Sequence, residues 1–345
     1  MHITKQAYGE LQDGRQVDIF TLKNNNGMIC KITNYGGIIV SLILDEKKPK
    51  DLVLGKPNLN SYIKGHPYFG ALTGRVAGRI NNATFKIDNK TYKLDKNDGE
   101  HCLHGGFNGW DKQLWNASII KENLFEKLQL KYEDPDGNNN FPGTISCTVV
   151  YALLPDNSLQ IIYNAKSDKD TPFNPTNHVY FNLNGEQSGT ILNHKIQIKS
   201  DEIAEANSDM SLTGKKNLVT ESINDLREFQ TIGKLSELSN RNVDTHYFFQ
   251  DGRTKVPRSV AKVYDPNSKN NLELLTTEPG VQFYAGINLS LNNKEIGKSG
   301  NAYQTYSGFC LETQDYPNSI NHNSIGSAML KAGEEFNSET IFKFY

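Results

Sequence analysis

Ile145-Ser146-Cys147-Thr148-Val149-Val150-Tyr151-Ala152-Leu153-Leu154-Pro155-Asp156-Asn157-Ser158-Leu159-Gln160-Ile161-Ile162-Tyr163-Asn164-Ala165 reads as two β runs around a turn. Both runs are rich in Val, Ile, Leu and Tyr, and Pro155 to Ser158 between them is turn composition. The same grammar extends outward in both directions. Runs at 28–32, 38–44, 125–132 and 194–198 have strand character, and 128–132 alternates Leu128, Leu130 and Tyr132 against Gln129 and Lys131. Asn24 to Gly27, Tyr35 to Gly37 and Asp134 to Asn138 punctuate them as turns. Helical periodicity is confined to 57–64 and 221–229. Strands spaced roughly 8–15 residues apart with little helix imply a large sandwich or barrel. No internal repeat or linker interrupts the chain, and 292–301 reads as a long exposed loop, so one domain over 1–345 is expected.

Composition narrows the function classes. The 345 residues carry a formal net charge of −2, which gives no electrostatic case for nucleic acid or an anionic membrane as partner. No apolar run reaches membrane-spanning length, and the N-terminus lacks a signal-peptide core. Cys30, Cys102, Cys147 and Cys310 are widely spaced with no CxxC pair, which implies thiols in a reducing cytoplasm.

Two segments carry groups suited to proton transfer. In Gly308-Phe309-Cys310-Leu311-Glu312-Thr313-Gln314, alternation puts Phe309 and Leu311 on one face and Cys310, Glu312 and Gln314 on the other. Glu312 is then either a solvent-facing carboxylate or a base held partly dry just before the turn Asp315-Tyr316-Pro317-Asn318. In Asn174-Pro175-Thr176-Asn177-His178-Val179-Tyr180-Phe181, His178 and Tyr180 share a face. His178 is either a satisfied core residue or a proton donor working near neutral pH.

Other motifs are weaker. Arg75 and Arg79 share a face if Gly74 to Ile80 is extended, as solvated charges or as donors to ligand hydroxyls. His101-Cys102-Leu103-His104 lacks the further ligands of a zinc site, while Gly105-Gly106 suggests backbone close to a ligand or another strand. The Asp134–Asn140 run fails as a calcium loop at its sixth and twelfth positions, Asn139 and Ile145. Phosphate-cradling and dinucleotide motifs are absent. Asp244 and Gln282 sit at the edges of aromatic runs, either as ordinary strand residues or as the polar side of an aromatic-walled sugar pocket.

GRVAGRI (74–80), LHGG (103–106), NPTNHVYFNLNG (174–185), the Asp244 segment, GVQFYAG (280–286) and GFCLETQDYPNSIN (308–321) together resemble the aldose 1-epimerase (galactose mutarotase) family, in order and over essentially the whole chain. The resemblance implies an all-β fold with very little helix, a large antiparallel β-sandwich of the galactose mutarotase-like supersandwich type. It also implies a cytoplasmic isomerase of carbohydrate metabolism, without cofactor or metal, acting on a free monosaccharide as a monomer or homodimer. By residue match, Glu312 is the general base and His178 the general acid. His104 is a further catalytic donor near the ring oxygen, and Arg79, Asp244 and Gln282 bind the sugar.

Ring opening requires the C1 hydroxyl to lose a proton while O5 gains one, so Glu312 is expected ionised and His178 protonated at the start. The sequence departs from the family pattern in three places. Gly78 stands where Asn is common before Arg79, Thr245 separates Asp244 from His246, and His322 to Gly326 replaces a Phe-Pro segment. Rival readings are a glycoside hydrolase using Glu312 and Asp244, a hexose-6-phosphate epimerase needing a cationic cluster, and a non-catalytic sugar-binding module.

Overall fold

The computed structural model describes residues 2–122, 125–240, 242–290, 296–322 and 325–345. The quoted stretch forms the strands Ile145–Leu153 and Ser158–Ser167, paired antiparallel from Ile145–Ser167 to Leu153–Leu159. They lie inside a nine-stranded sheet that runs in space from Asn116–Glu122 and Phe125–Asp134 through these two to Glu335–Phe344. It continues through Asn271–Thr276, Arg258–Tyr264 and Lys195–Ile198 to Gln230–Thr231.

A four-stranded sheet begins the chain, His2–Glu10, Gln16–Lys23, Ile29–Thr33 and Ile39–Ile43. A five-stranded sheet carries Leu212–Leu218, Glu202–Ala206, Asp244–Phe248, Gly280–Tyr284 and Cys310–Gln314 in that spatial order. One apolar core joins all three, with Phe20 and Leu22 from the first, Val149, Ile161 and Phe342 from the nine-stranded sheet, and Val281, Phe283 and Leu311 from the five-stranded one. Each large apolar side chain taken fully out of water contributes roughly 1.5–3 kcal/mol, so this shared core is what clamps the sheets face to face as a sandwich.

Two α-helices occur among the described residues. Leu59–Ile63 falls within the expected 57–64, capped by the Asn58 side chain accepting from the Ser61 N–H. The periodicity at 221–229 does not form a helix. Ser222 and Asp225 side chains accept from the backbone N–H groups of Asn224 and Arg227 and lock turns instead. The helix starts later, at Ile232–Leu238, where Thr231 caps the Lys234 N–H.

Arg75 is a second difference. It does not share a surface with Arg79 but is buried, donating to Asp134, to the carbonyls of Pro142 and Gly143, and to Thr171. A guanidinium with every arm satisfied indoors is a structural strut. Of the loop expected at 292–301, residues 292–295 lie outside the described residues; the remainder turns tightly, Gly297 N–H donating to Asn301 O at 2.8 Å. Residues 323 and 324 of the altered 322–326 segment also lie outside them. All four cysteines are free and buried. Among the described residues no helix is long and apolar enough to cross a membrane.

Candidate active site

Three adjacent strands of the five-stranded sheet supply one wall of a cavity of about 500 Å³. Register sets the pattern: Asp244 lies opposite Tyr284 and Tyr284 opposite Cys310, while His246 lies opposite Gln282 and Gln282 opposite Glu312. Alternation then puts all six on one sheet face, where Asp244, His246, Gln282, Tyr284 and Glu312 line the cavity and Cys310 packs in a buried cluster beside it, and sends Tyr247, Val281, Phe283 and Leu311 into the core. Gln282 Nε2 donates to Asp244 Oδ1 at 2.6 Å. The expected alternation at 308–314 therefore holds, but the strand has no solvated side. Cys310 to Gln314 are all buried, Glu312 at 3% exposure.

His178 arrives from a different element. The strand Thr176–His178 pairs with Ala71–Thr73, and Val179 and Phe181 anchor it in the core while His178 and Tyr180 face the cavity. Its Nε2 stands 3.5 Å from Glu312 Oε1. A third element brings Arg79 and His104: Arg79–Ile80 pairs with Cys102–Leu103, and His104 follows directly with φ of 50°. Arg79 Nε donates to Asp98 Oδ2 at 2.7 Å, which steadies the guanidinium at the cavity. All six expected residues thus line one cavity.

Burial sets the charge states. It pushes the Glu312 carboxyl well above the usual carboxylate range; Asp244 adds to the rise and Arg79 opposes it. Asp244 is raised by burial as well, against its bond from Gln282 and the charge of Arg79. Burial lowers His178 to about 4 and drives His104 well below the histidine range, with His178, Arg79 and Lys112 adding to the latter. Burial therefore acts against the expected pairing of an ionised Glu312 with a protonated His178. Burial of the two side chains favours the neutral pair, because each charge loses hydration that its partner must return.

Gly78 explains how the two histidines differ. Its backbone N–H donates to His104 Nδ1 at 3.2 Å, so the proton of neutral His104 sits on Nε2. Losing that proton would leave an imidazolate, so His104 is a fixed donor. His178 Nδ1 has no such N–H behind it; its neighbour is Cys310 Sγ at 3.4 Å. Gly78 has φ of +71°, and a Cβ there would lie 2.6 Å from Pro317 Cβ. Gly78→Ala should therefore lose about 1–2 kcal/mol to the left-handed backbone alone and displace the N–H from His104. Denaturant unfolding together with kcat/KM checks this, and an unchanged kcat/KM would contradict it.

His104, His178 and Glu312 form a cluster whose potential metal-ligand atoms lie within 4.8 Å of one another. Its donors do not fit a three-ligand site, since the His104 Nε2 lone pair is occupied by the proton. The neighbouring glycine reads structurally: a Cβ on Gly105 would meet Gly74 O at 2.0 Å, so its partner is backbone and not ligand.

Several wall residues escaped the sequence reading. Tyr68, at φ of 61°, packs on His104 and His178 with ring centroids 4.5 and 5.7 Å apart. Only its place in the Gly65-His66-Pro67-Tyr68 loop hinted at it. Gln314 lines the cavity, and its buried Oε1 has no partner among the described residues; its shared face with Glu312 was the available signal. Pro317 supplies the wall expected from the loop after Asp315.

The family model for aldose 1-epimerase matches residues 18–343. The chain belongs to the aldose 1-epimerase family. The galactose mutarotase of Sus scrofa is 36% identical over 346 residues, covering 99% of this chain and 98% of the relative. The aldose 1-epimerase of Escherichia coli K12 is 33% identical over 341 residues, covering 96% of each. Among solved structures, galactose 1-epimerase from Lactobacillus acidophilus aligns with a TM-score of 0.86 at 25% identity, over 100% of this chain and 98% of that one. An aldose epimerase homologue from C. elegans aligns at 0.85 and 25%, over 94% and 98%. Members of the family are thus related to this chain over nearly their whole length, and the six expected residues fall in the cavity of the shared fold.

Proposed function

We propose that this chain is an aldose 1-epimerase that interconverts the α and β anomers of free aldohexoses, D-galactose and D-glucose among them, in hexose metabolism. The observation that carries the reading is a carboxyl and an imidazole, Glu312 and His178, 3.5 Å apart in a cavity large enough for a hexose. The pair holds one proton. In the reactive form the proton is on His178, Glu312 takes the proton of the C1 hydroxyl, and His178 gives its own to O5 as the C1–O5 bond breaks. Glu312 is then protonated and His178 neutral, the arrangement that burial favours, so both transfers run toward the more stable charge state. The aldehyde turns about C1–C2 and the steps reverse on the other face.

His104 keeps its Nε2–H on the oxygen side as a donor, and Arg79, Asp244 and Gln282 hold the remaining hydroxyls. A phosphorylated hexose is a poorer fit. Among the described residues one Arg and no Lys line the cavity, against the carboxyls of Glu205, Asp244 and Glu312. The glycosidase reading is weaker too, since the proton partner of Glu312 is an imidazole and Asp244 is engaged by Gln282. The four unpaired buried thiols support a cytoplasmic setting. Polarimetry of freshly dissolved α-D-galactose tests the function: the protein should speed the approach to anomeric equilibrium. No acceleration over buffer with either galactose or glucose would refute it, and a faster rate with hexose 6-phosphate would favour the rival.

A further inference from the structure

His178 has a second side. Its Nδ1 lies 3.4 Å from Sγ of Cys310, the residue two before Glu312 on the same strand face. The two are 5% and 0% exposed, so water does not intervene as a general partner. A neutral imidazole has one proton to place. If Nε2 is to give its proton to a sugar oxygen and leave an ordinary imidazole, the other proton must stay on Nδ1, and a buried N–H needs an acceptor.

We propose that Cys310 is a positioning residue for anomer interconversion: its sulfur accepts the Nδ1–H of His178, keeps Nε2 as the nitrogen that gains and loses the proton, and leaves the imidazolium acidic because sulfur is a weak acceptor. The inference rests on the acid role given to His178 above.

The sulfur matters chemically. A carboxylate behind a histidine stabilises the imidazolium and makes it a poorer acid. Cys310 stays a thiol, since burial and the nearby carboxyls of Glu312 and Asp244 hold it well above the usual thiol range. The thiol steers the ring as an uncharged, soft acceptor, beside a hydrogen bond to the backbone of His178 itself that favours the charged ring. His104 is the internal contrast, because the Gly78 N–H behind it forces the opposite tautomer. The titratable groups facing His178 are Glu312 and Cys310 on one strand, Tyr284 on the next, Tyr180 on its own segment, and Tyr68 and His104 on loops. Its charge also reaches His66. Of these, Glu312 alone is a carboxylic acid.

Imidazole nitrogen NMR on the sugar-free wild-type enzyme reads the tautomer directly, and His178 should carry its proton on Nδ1. Cys310→Ala should lower kcat about tenfold, less than the cost of a wrong tautomer in a histidine-based triad, with KM for galactose nearly unchanged. Cys310→Ser keeps an acceptor and a stronger one; it should retain most of kcat and move the low-pH limb of the kcat profile to higher pH. An Nε2–H tautomer in the wild type would overturn the proposal. So would a Cys310→Ala variant with wild-type kcat and pH profile, or equal losses for Ala and Ser. The spectrum needs no sugar and wild-type turnover is measured separately, so a chain that turns over neither galactose nor glucose refutes the enzymatic reading and this role with it, whereas an Nε2–H tautomer in an active enzyme refutes this inference alone.

Discussion

Glu312→Gln should lower kcat by about 10³-fold or more, toward the upper end of what one positioned base supplies, while sugar still binds. The amide keeps the shape of the side chain and its place between Gln282 and His178, but it cannot take the C1 hydroxyl proton. Stability should hold or rise slightly, because the variant removes a buried ionisable group whose charge burial already opposes. Polarimetry gives kcat, and titration calorimetry with galactose gives affinity. Retained turnover would remove Glu312 from the base role; lost binding would make it a sugar anchor.

His178→Gln should cost about 10²–10⁴-fold in kcat, the range for a general acid, whereas His104→Gln, which keeps a donor amide, should cost roughly tenfold, about the 1.36 kcal/mol of one weakened hydrogen bond. The asymmetry follows from the Gly78 N–H behind His104 Nδ1, which leaves that ring only a proton to point, and from the Nδ1–H tautomer proposed for His178, which lets its Nε2 relay one. Equal losses would contradict it. The wild-type kcat profile should be flat between two limbs that belong to the Glu312–His178 pair. On the low side, His178 takes a second proton near its depressed value of about 4 and activity falls as pH drops. On the high side, the shared proton leaves only above the usual carboxylate range, since the Glu312 carboxyl is raised, and activity falls as pH climbs.

Much of this arrangement was legible because a strand's two faces are written in alternate letters. Phe309 and Leu311 against Cys310 and Glu312, and Val179 and Phe181 against His178 and Tyr180, divide core from cavity as read. The runs at 145–153 and 159–165 likewise gave the sheet. What stayed hidden depends on distant partners. Arg75 and Arg79 are four residues apart in similar sequence, yet Asp134 draws one inside and Asp98 holds the other at the cavity. The helix at 221–229 lost to side-chain turns that a periodicity count does not see. The effect of burial on the Glu312–His178 pair is not legible in the same way, because the attraction between neighbours can be read from residue types, while dehydration depends on everything that closes over them.

The strand Cys310–Gln314 is buried on both faces, with the apolar core on one side and the reaction on the other. Glu312 therefore does not ride on a loop that could fray, or on a lid that could stay open, while the rest of the protein remains folded. Heat should not yield a native-looking but idle population: the Glu312 carboxyl and the sandwich interior share one strand and should unfold together, so that the working life at a given temperature is set by the barrier to unfolding the whole.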